Sequence, residues 1–260
     1  MPPVHALSSS PPLQAGKIAW TFGAPEIDRL LPDRGLRAAG LHEVKPAAYR
    51  DWPAALALGL MLTVRRLDAI EAANCAKVSV LWCWTAARAR DLGRLYAPGL
   101  SALGLQPGSI LVVETGNETD ALWAMEEGLK ARSVALVVGC IDDVKLTPAR
   151  RLSLAAEAHG TPCLIATDPR ASGAAAAATR WRIARAASGL HSFDPTAPGR
   201  PRFRLTLERA RGVPILDDHS FCVEWRNDTH RFGLAAGLAD RADAAAYAGQ
   251  RAGRPSVRAR

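Results

Sequence analysis

Short apolar blocks separated by segments of helical period constrain this chain more than any other feature. Val78–Trp84, Ile110–Val113, Val134–Val138 and Pro162–Thr167 are such blocks, and Leu41–Val44 is a shorter one ahead of them. Val78–Trp84 and Val134–Val138 are nearly continuous apolar runs, the pattern of strands buried on both faces. Between the blocks, Leu56, Leu60 and Val64 recur every four residues within Pro53–Leu67, the spacing of one helix face. Glu118–Lys130 is a second helix, with Thr115 or Asn117 available as its cap, and Thr147–His159 is a third, opened by Thr147-Pro148 and closed by Gly160. Leu92–Leu103 is expected to be helical with an interruption at Pro98-Gly99. Strands alternating with helices of this length specify right-handed crossovers and a mostly parallel sheet with helices on both faces. The fold class is α/β.

After Ser172 the pattern changes. Ala174–Ala178 is expected in a short helix and Trp181–Arg185 in a strand. Phe203, Leu205 and Leu207 alternate with polar neighbours, as do Phe221, Val223 and Trp225. Two antiparallel strands with one wet face follow, extending an edge of the parallel sheet. They are joined through Gly212-Val213-Pro214 and Asp217-Asp218. Residues 1–17, with Pro2-Pro3, three consecutive serines and Pro11-Pro12, form an expected flexible leader. Residues 18–232 form one domain, and 233–260 a basic, Ala- and Arg-rich tail expected to be disordered.

Composition narrows the function classes. No apolar stretch approaches the roughly 20 residues that span a bilayer. The start has no basic segment leading into an apolar one, so a cytoplasmic location is expected. The five cysteines are widely spaced with no Cys-x-x-Cys pair, which argues against a disulfide framework or a zinc knuckle. The histidines are scattered without metal-ligand spacing. The net charge of +8 is unevenly placed. Residues 1–179 hold 18 basic and 17 acidic side chains, whereas 180–260 hold 15 and 8. A basic C-terminal third is compatible with nucleic acid or an acidic protein. With 28 Arg, 5 Lys and 50 Ala, genomic composition explains part of that excess.

The order of elements resembles the RecA-like ATPase core. Thr21–Leu31, with its Ile27-Asp28-Arg29-Leu30-Leu31 turn, followed by Gly40-Leu41-His42-Glu43-Val44, resembles the entry into the first strand of that core. The likeness continues through Leu95-Tyr96-Ala97 and Leu103-Gly104-Leu105 to Val134–Val138, where recombinases carry the Walker B strand. The catalytic residues do not follow. A phosphate loop needs Gly-x4-Gly-Lys-Ser/Thr, whose glycines let backbone N–H groups wrap the phosphates and whose lysine and hydroxyl hold the terminal phosphate and Mg²⁺. This chain has Pro46-Ala47-Ala48-Tyr49-Arg50-Asp51-Trp52-Pro53 there. Pro46 and Pro53 remove two donors, and Asp51 puts a negative charge where phosphate would sit. The Walker B acid is replaced by Gly139, and no acid occurs in Trp84-Thr85-Ala86, where recombinases carry a glutamate. Neither a catalytic residue, a metal site nor a cofactor is expected. Asp142-Asp143 and Glu114 are read as loop-end carboxylates, not metal ligands.

A RecA-like core without its ATPase residues resembles the ImuA family of SOS mutagenesis accessory proteins. The resemblance rests on Gly40–Val44, Leu95–Leu100, Ala121–Leu129, Leu146–Leu152, Ala178–Ile183 and the closing Glu224-Trp225 strand. Of these, Leu41-His42-Glu43-Val44 and Ala121-Leu122-Trp123-Ala124-Met125-Glu126-Glu127 are the more specific. It implies a non-catalytic adaptor in error-prone translesion DNA synthesis, bridging or recruiting ImuB, a Y-family polymerase relative, and an error-prone DNA polymerase. RecA, a second copy of the chain and weak single-stranded DNA contact are further partners it admits. Arg180, Arg182, Arg185, Arg202 and Arg204 are the candidate DNA-facing residues, unless they pair with Glu208, Glu224 or Asp228. Two other readings remain open. One is a SulA-like inhibitor of the division GTPase. The other is a RecA-type ATPase with a noncanonical phosphate site around Lys45, Arg50 and Asp142.

Without the loop glycines, lysine, hydroxyl and acids, ATP–Mg²⁺ is expected to leave thermal unfolding unshifted at millimolar concentration. A ligand at 100 times its dissociation constant stabilises a fold by about 2.7 kcal/mol, so a reproducible upward shift contradicts this expectation.

Overall fold

The computed structural model describes residues 18–73, 79–189, 191, 193–194, 196–214 and 219–235. Its elements run α1 (Pro25–Asp28), β1 (Leu41–Pro46), α2 (Trp52–Ala72), β2 (Ser79–Thr85), α3 (Ala86–Leu92), α4 (Ala97–Ala102), β3 (Ile110–Thr115), α5 (Glu118–Lys130) and β4 (Val134–Cys140). Then come α6 (Leu146–His159), β5 (Cys163–Ala166), β6 (Thr179–Ala186), β7 (Arg202–Ala210), β8 (Ser220–Arg226) and β9 (Arg231–Leu234). The nine strands form one sheet in the order β3-β2-β4-β5-β1-β6-β7-β8-β9. Pairing is parallel from β3 through β6 and antiparallel from β6 to β9.

Each face has its own core. On one, α2 lies across the sheet with Leu58, Leu62 and Val64 buried against Trp82, Leu136 and Leu164. Trp20, Trp52, Trp82, Trp84, Trp181 and Trp225 all belong to this side and are at most 1% exposed. Burying a ring of that size removes 150–250 Å² of surface from water, so six of the chain's seven tryptophans build this layer. The N-terminal segment is latched beneath it: Trp20 Nε1 donates to the Leu62 carbonyl at 2.9 Å, and Arg65 and Arg66 of α2 reach the carbonyls of Thr21 and Ile18. On the other face, α5 and α6 bury Ala121, Met125, Leu129, Ala149, Leu152 and Ala156. A Cβ added at Gly128 would lie 2.2 Å from Leu81 Cδ2, so the missing side chain sets how closely α5 approaches β2.

Four local expectations are corrected. The helix expected over Leu92–Leu103 is two helices, α3 and α4. The break is at Gly93, held at φ +83, whereas Pro98 lies in the first turn of α4, where its missing N–H costs nothing. Ala174–Ala178 is a turn rather than a helix: Ala174 N donates to the Glu43 carboxylate and Ala178 N to the Leu41 carbonyl, which draws the backbone onto β1. Lys145, not Thr147, is the cap residue of α6, and it makes no side-chain cap bond. The ordered chain continues past Phe232, because Gly233 and Leu234 complete β9 against β8. Asn117 caps α5 and Gly160 ends α6 in the left-handed conformation, as expected. The leader 1–17, Asp217-Asp218 and the tail from 236 lie outside the described residues. No helix among the described residues is long and apolar enough to cross a membrane.

His42 gives this core a pH dependence. It is fully buried on β1, with Nε2 2.9 Å from the Arg37 carbonyl and Nδ1 2.8 Å from Thr179 Oγ1. A carbonyl only accepts, so the tautomer with the proton on Nε2 fits the geometry. Burial pushes its pKa from 6.5 down to about 4, outweighing the bond to the Arg37 carbonyl, which favours the protonated ring. The unfolded chain therefore binds the proton more readily, and stability contributed by neutral His42 is lost as pH falls from about 6.5 to about 4. One pKa unit corresponds to about 1.4 kcal/mol, so the full loss is about 3 kcal/mol. Urea unfolding followed by tryptophan fluorescence at pH 7 and pH 5 checks this. The wild type should weaken by about 2 kcal/mol more than His42→Gln across that interval.

Candidate functional site

In a parallel sheet, binding sites form beyond the carboxyl ends of the strands. Here those ends belong to β1, β2, β4 and β5, and the residues between β1 and α2 occupy the place of a phosphate loop. Pro46 closes β1 beside Ile183 of β6, and Ala47 N donates to the Ile183 carbonyl at 2.7 Å. The chain then turns through a single 3-10 turn, Tyr49–Asp51, into α2. Asp51, 3% exposed, accepts from Ala48 N at 3.0 Å through Oδ2 and from Arg185 N at 3.1 Å through Oδ1. The carboxylate thus takes up backbone donors at the position where a phosphate loop offers them to nucleotide. Trp52 is fully buried, and Pro53 sits exposed in the first turn of α2.

The lysine before this turn is committed elsewhere. Lys45 is 6% exposed and its Nζ donates to the Ala171 carbonyl at 2.5 Å. At the end of β2, Trp84 is buried and Thr85 caps α3 by accepting from Arg88 N at 3.1 Å. Gly139, at the Walker B position, faces α5. A Cβ there would lie 2.4 Å from Met125 Cε, so the methionine occupies the space an acidic side chain would need.

Arg88, which the sequence pattern did not single out, is the centre of this end of the sheet. It is 8% exposed, with Cζ 4.6 Å over the Trp52 ring. Its guanidinium pairs with Asp91 at 3.3 Å, with Asp142, and with Asp168 at 4.0 Å. Tyr49 donates to Asp91 beside it, and Asp142 N donates to Glu118. Asp142, a member of the noncanonical phosphate site considered above, is therefore an ion-pair partner of Arg88. A guanidinium on an aromatic face is favourable and strengthens with desolvation. The only earlier hint of this group was an arginine three residues after a buried strand.

The five candidate arginines separate into distinct settings. Alternation places Arg180, Arg182, Arg202 and Arg204 on the sheet face opposite Trp181, Ile183, Phe203 and Leu205. Arg185 pairs in register with Phe203 and lies exposed at the strand end. Arg180 Nε donates to buried Glu43 at 2.7 Å, Arg182 pairs with Glu208, and Arg202 pairs with Glu224 at 2.8 Å. Arg204 is half-buried and also partnered. Among the described residues no group of three or more His, Cys, Asp or Glu could hold a metal ion. Burial pushes the thiols of Cys83 and Cys140 up to about 12, out of the range in which a thiolate serves as nucleophile.

Replacing Asp51 with Ala leaves two backbone donors without their acceptor. At about 1–3 kcal/mol for each unsatisfied group, Asp51→Ala should destabilise the fold by about 2–6 kcal/mol in urea unfolding. Asp51→Asn, which keeps one carbonyl oxygen, should lose about half as much.

Comparison with known proteins agrees with the resemblance found in the sequence. No family model matches the chain. Two curated proteins named Protein ImuA, from two strains of Caulobacter vibrioides, are each 34% identical over 249 residues. The match covers 90% of this chain and 95% of theirs. Likeness of that extent leaves one assignment: the chain belongs to the ImuA family.

Proposed function

We propose that this protein is a non-catalytic adaptor of error-prone DNA synthesis, joining an ImuB-type Y-family polymerase relative to an error-prone DNA polymerase. Membership of the ImuA family carries the coarser statement, a role in the ImuA–ImuB mutagenesis system. One observation supports the finer reading most directly. Asp51 takes the backbone donors at the phosphate-loop position, while Lys45 and Asp142 are bound to Ala171 and Arg88. A nucleotide would have to displace these contacts while bringing its own negative charge towards Asp51. Catalysis depends on groups preorganised around the reacting phosphate, and here the groups are organised around one another. The sheet then serves as a rigid frame, and activity belongs to its outer surfaces.

The paired state of Arg180, Arg182 and Arg202 favours protein contact over DNA as the primary role, since their charges are partly neutralised within the fold. The test is reconstitution. The purified chain, mixed with an ImuB-type protein and the error-prone polymerase, is expected to give a three-component complex by size exclusion with light scattering. The two partners alone should associate less. Failure to bind either partner overturns the adaptor reading, and capture of the division GTPase instead supports the SulA-like alternative.

A further inference from the structure

We infer that the outer edge of α6 is a docking groove for an acidic amphipathic helix of a partner protein. This inference rests on the adaptor reading above. α6 buries Ala149, Leu152 and Ala156 against the sheet, yet Leu146 and Leu154, eight residues apart, remain 46% and 65% exposed. They lie in a shallow groove of about 430 Å³ between α6 and the Ala175-Ala176 turn, with Arg150 and Arg211 along it. Two exposed leucines two helical turns apart match the spacing at which an amphipathic helix presents its anchors. Exposed apolar surface concentrated in a groove with a polar rim marks an interaction site more often than scattered leucines do.

The charges decide the occupant. Arg37 and Arg211 share a single carboxylate, Glu157, at 3.8 and 3.3 Å. Arg150, between the two leucines, pairs with no carboxylate among the described residues. Arg150 and Arg211 line the groove against one acid, Glu157, whose charge Arg37 also shares, and leave it positive. A helix with apolar anchors flanking an acidic residue satisfies both the leucines and Arg150. The chain's own residues 236–260 carry five arginines and two aspartates, the same sign as the groove. A second copy meeting the groove face to face across a two-fold axis would set Arg150 against Arg150.

Binding of the full-length chain to purified ImuB-type protein and to the error-prone polymerase tests the groove. Leu154→Asp and Arg150→Glu should each weaken one of the two partners at least about tenfold, the loss typical of an interface anchor. Phe193→Ala, at an exposed site elsewhere, should bind as the wild type does. All variants should melt close to the wild-type temperature. Wild-type affinity for the affected partner should fall with added salt, and Arg150→Glu should flatten that dependence. Unchanged binding of both partners by both variants overturns the groove and leaves the adaptor reading intact. A wild type that binds neither partner overturns both. Loss of a dimer on Leu154→Asp assigns the groove to a second copy and overturns the inference.

Discussion

A carboxylate with no access to water holds the two halves of the sheet together. Glu43 is 0% exposed in the middle of β1 and accepts from Thr167 Oγ1 at 2.8 Å, Ala174 N at 2.8 Å and Arg180 Nε at 2.7 Å. Thr167 follows β5, Ala174 lies in the turn after it, and Arg180 belongs to β6. One side chain therefore fixes both neighbours of β1 and the connection between them. A buried charge is costly unless paired and fully hydrogen-bonded, so the sequence cannot place β6 elsewhere without leaving Glu43 exposed to that cost. Gly173, at φ +86, completes the arrangement, because a Cβ there would lie 2.3 Å from the Arg180 guanidinium. The antiparallel extension from β6 to β9 is built outward from this junction.

The same economy of internal pairing governs the carboxyl ends of the strands. Asp51, Arg88, Asp91, Asp142 and Asp168 satisfy one another or nearby backbone rather than a ligand. Such a network is stable because few of its members are left unmatched, and for the same reason it offers little to phosphate. Gly139 shows how far the change extends into packing. With no side chain there, Met125 of α5 rests against β4, so an acid at that position would disturb the core beneath α5 and α6.

Much of this was legible in the sequence because it depends on local pattern. Buried strands announced themselves as apolar runs and Asn117 as a cap, and Pro46, Asp51, Trp52 and Pro53 marked the turn after β1 as unlike a glycine-rich loop. What escaped was set by contacts distant in sequence. Arg88 looks like any helix arginine until Asp142 and Asp168 are brought to it from beyond the ends of β4 and β5. Ala174–Ala178 has high helix propensity, yet Glu43, over 130 residues away, takes the N–H group a helix would have used. The groove on α6 was hidden similarly: Leu146 and Leu154 fit an amphipathic period, and only the fold reveals that they lie beside the buried stripe.

A sheet whose strand ends are filled by its own side chains answers to different demands from one that holds a nucleotide. An ATPase must keep the ends of its strands open and polar, and must move between liganded and empty states. This chain closes those ends with Arg88 over Trp52 and with Asp51 between β1 and β6. It backs them with six buried tryptophans. A rigid interior lowers the entropy lost when an external face is engaged, because little remains to be ordered on binding. The arginines follow the same logic. Those on β6 and β7 are largely held by Glu43, Glu208 and Glu224, whereas Arg150 lies beside the exposed leucines of α6 with no carboxylate partner among the described residues. Charge set next to apolar surface on a fixed helix selects a partner by chemistry as well as by shape.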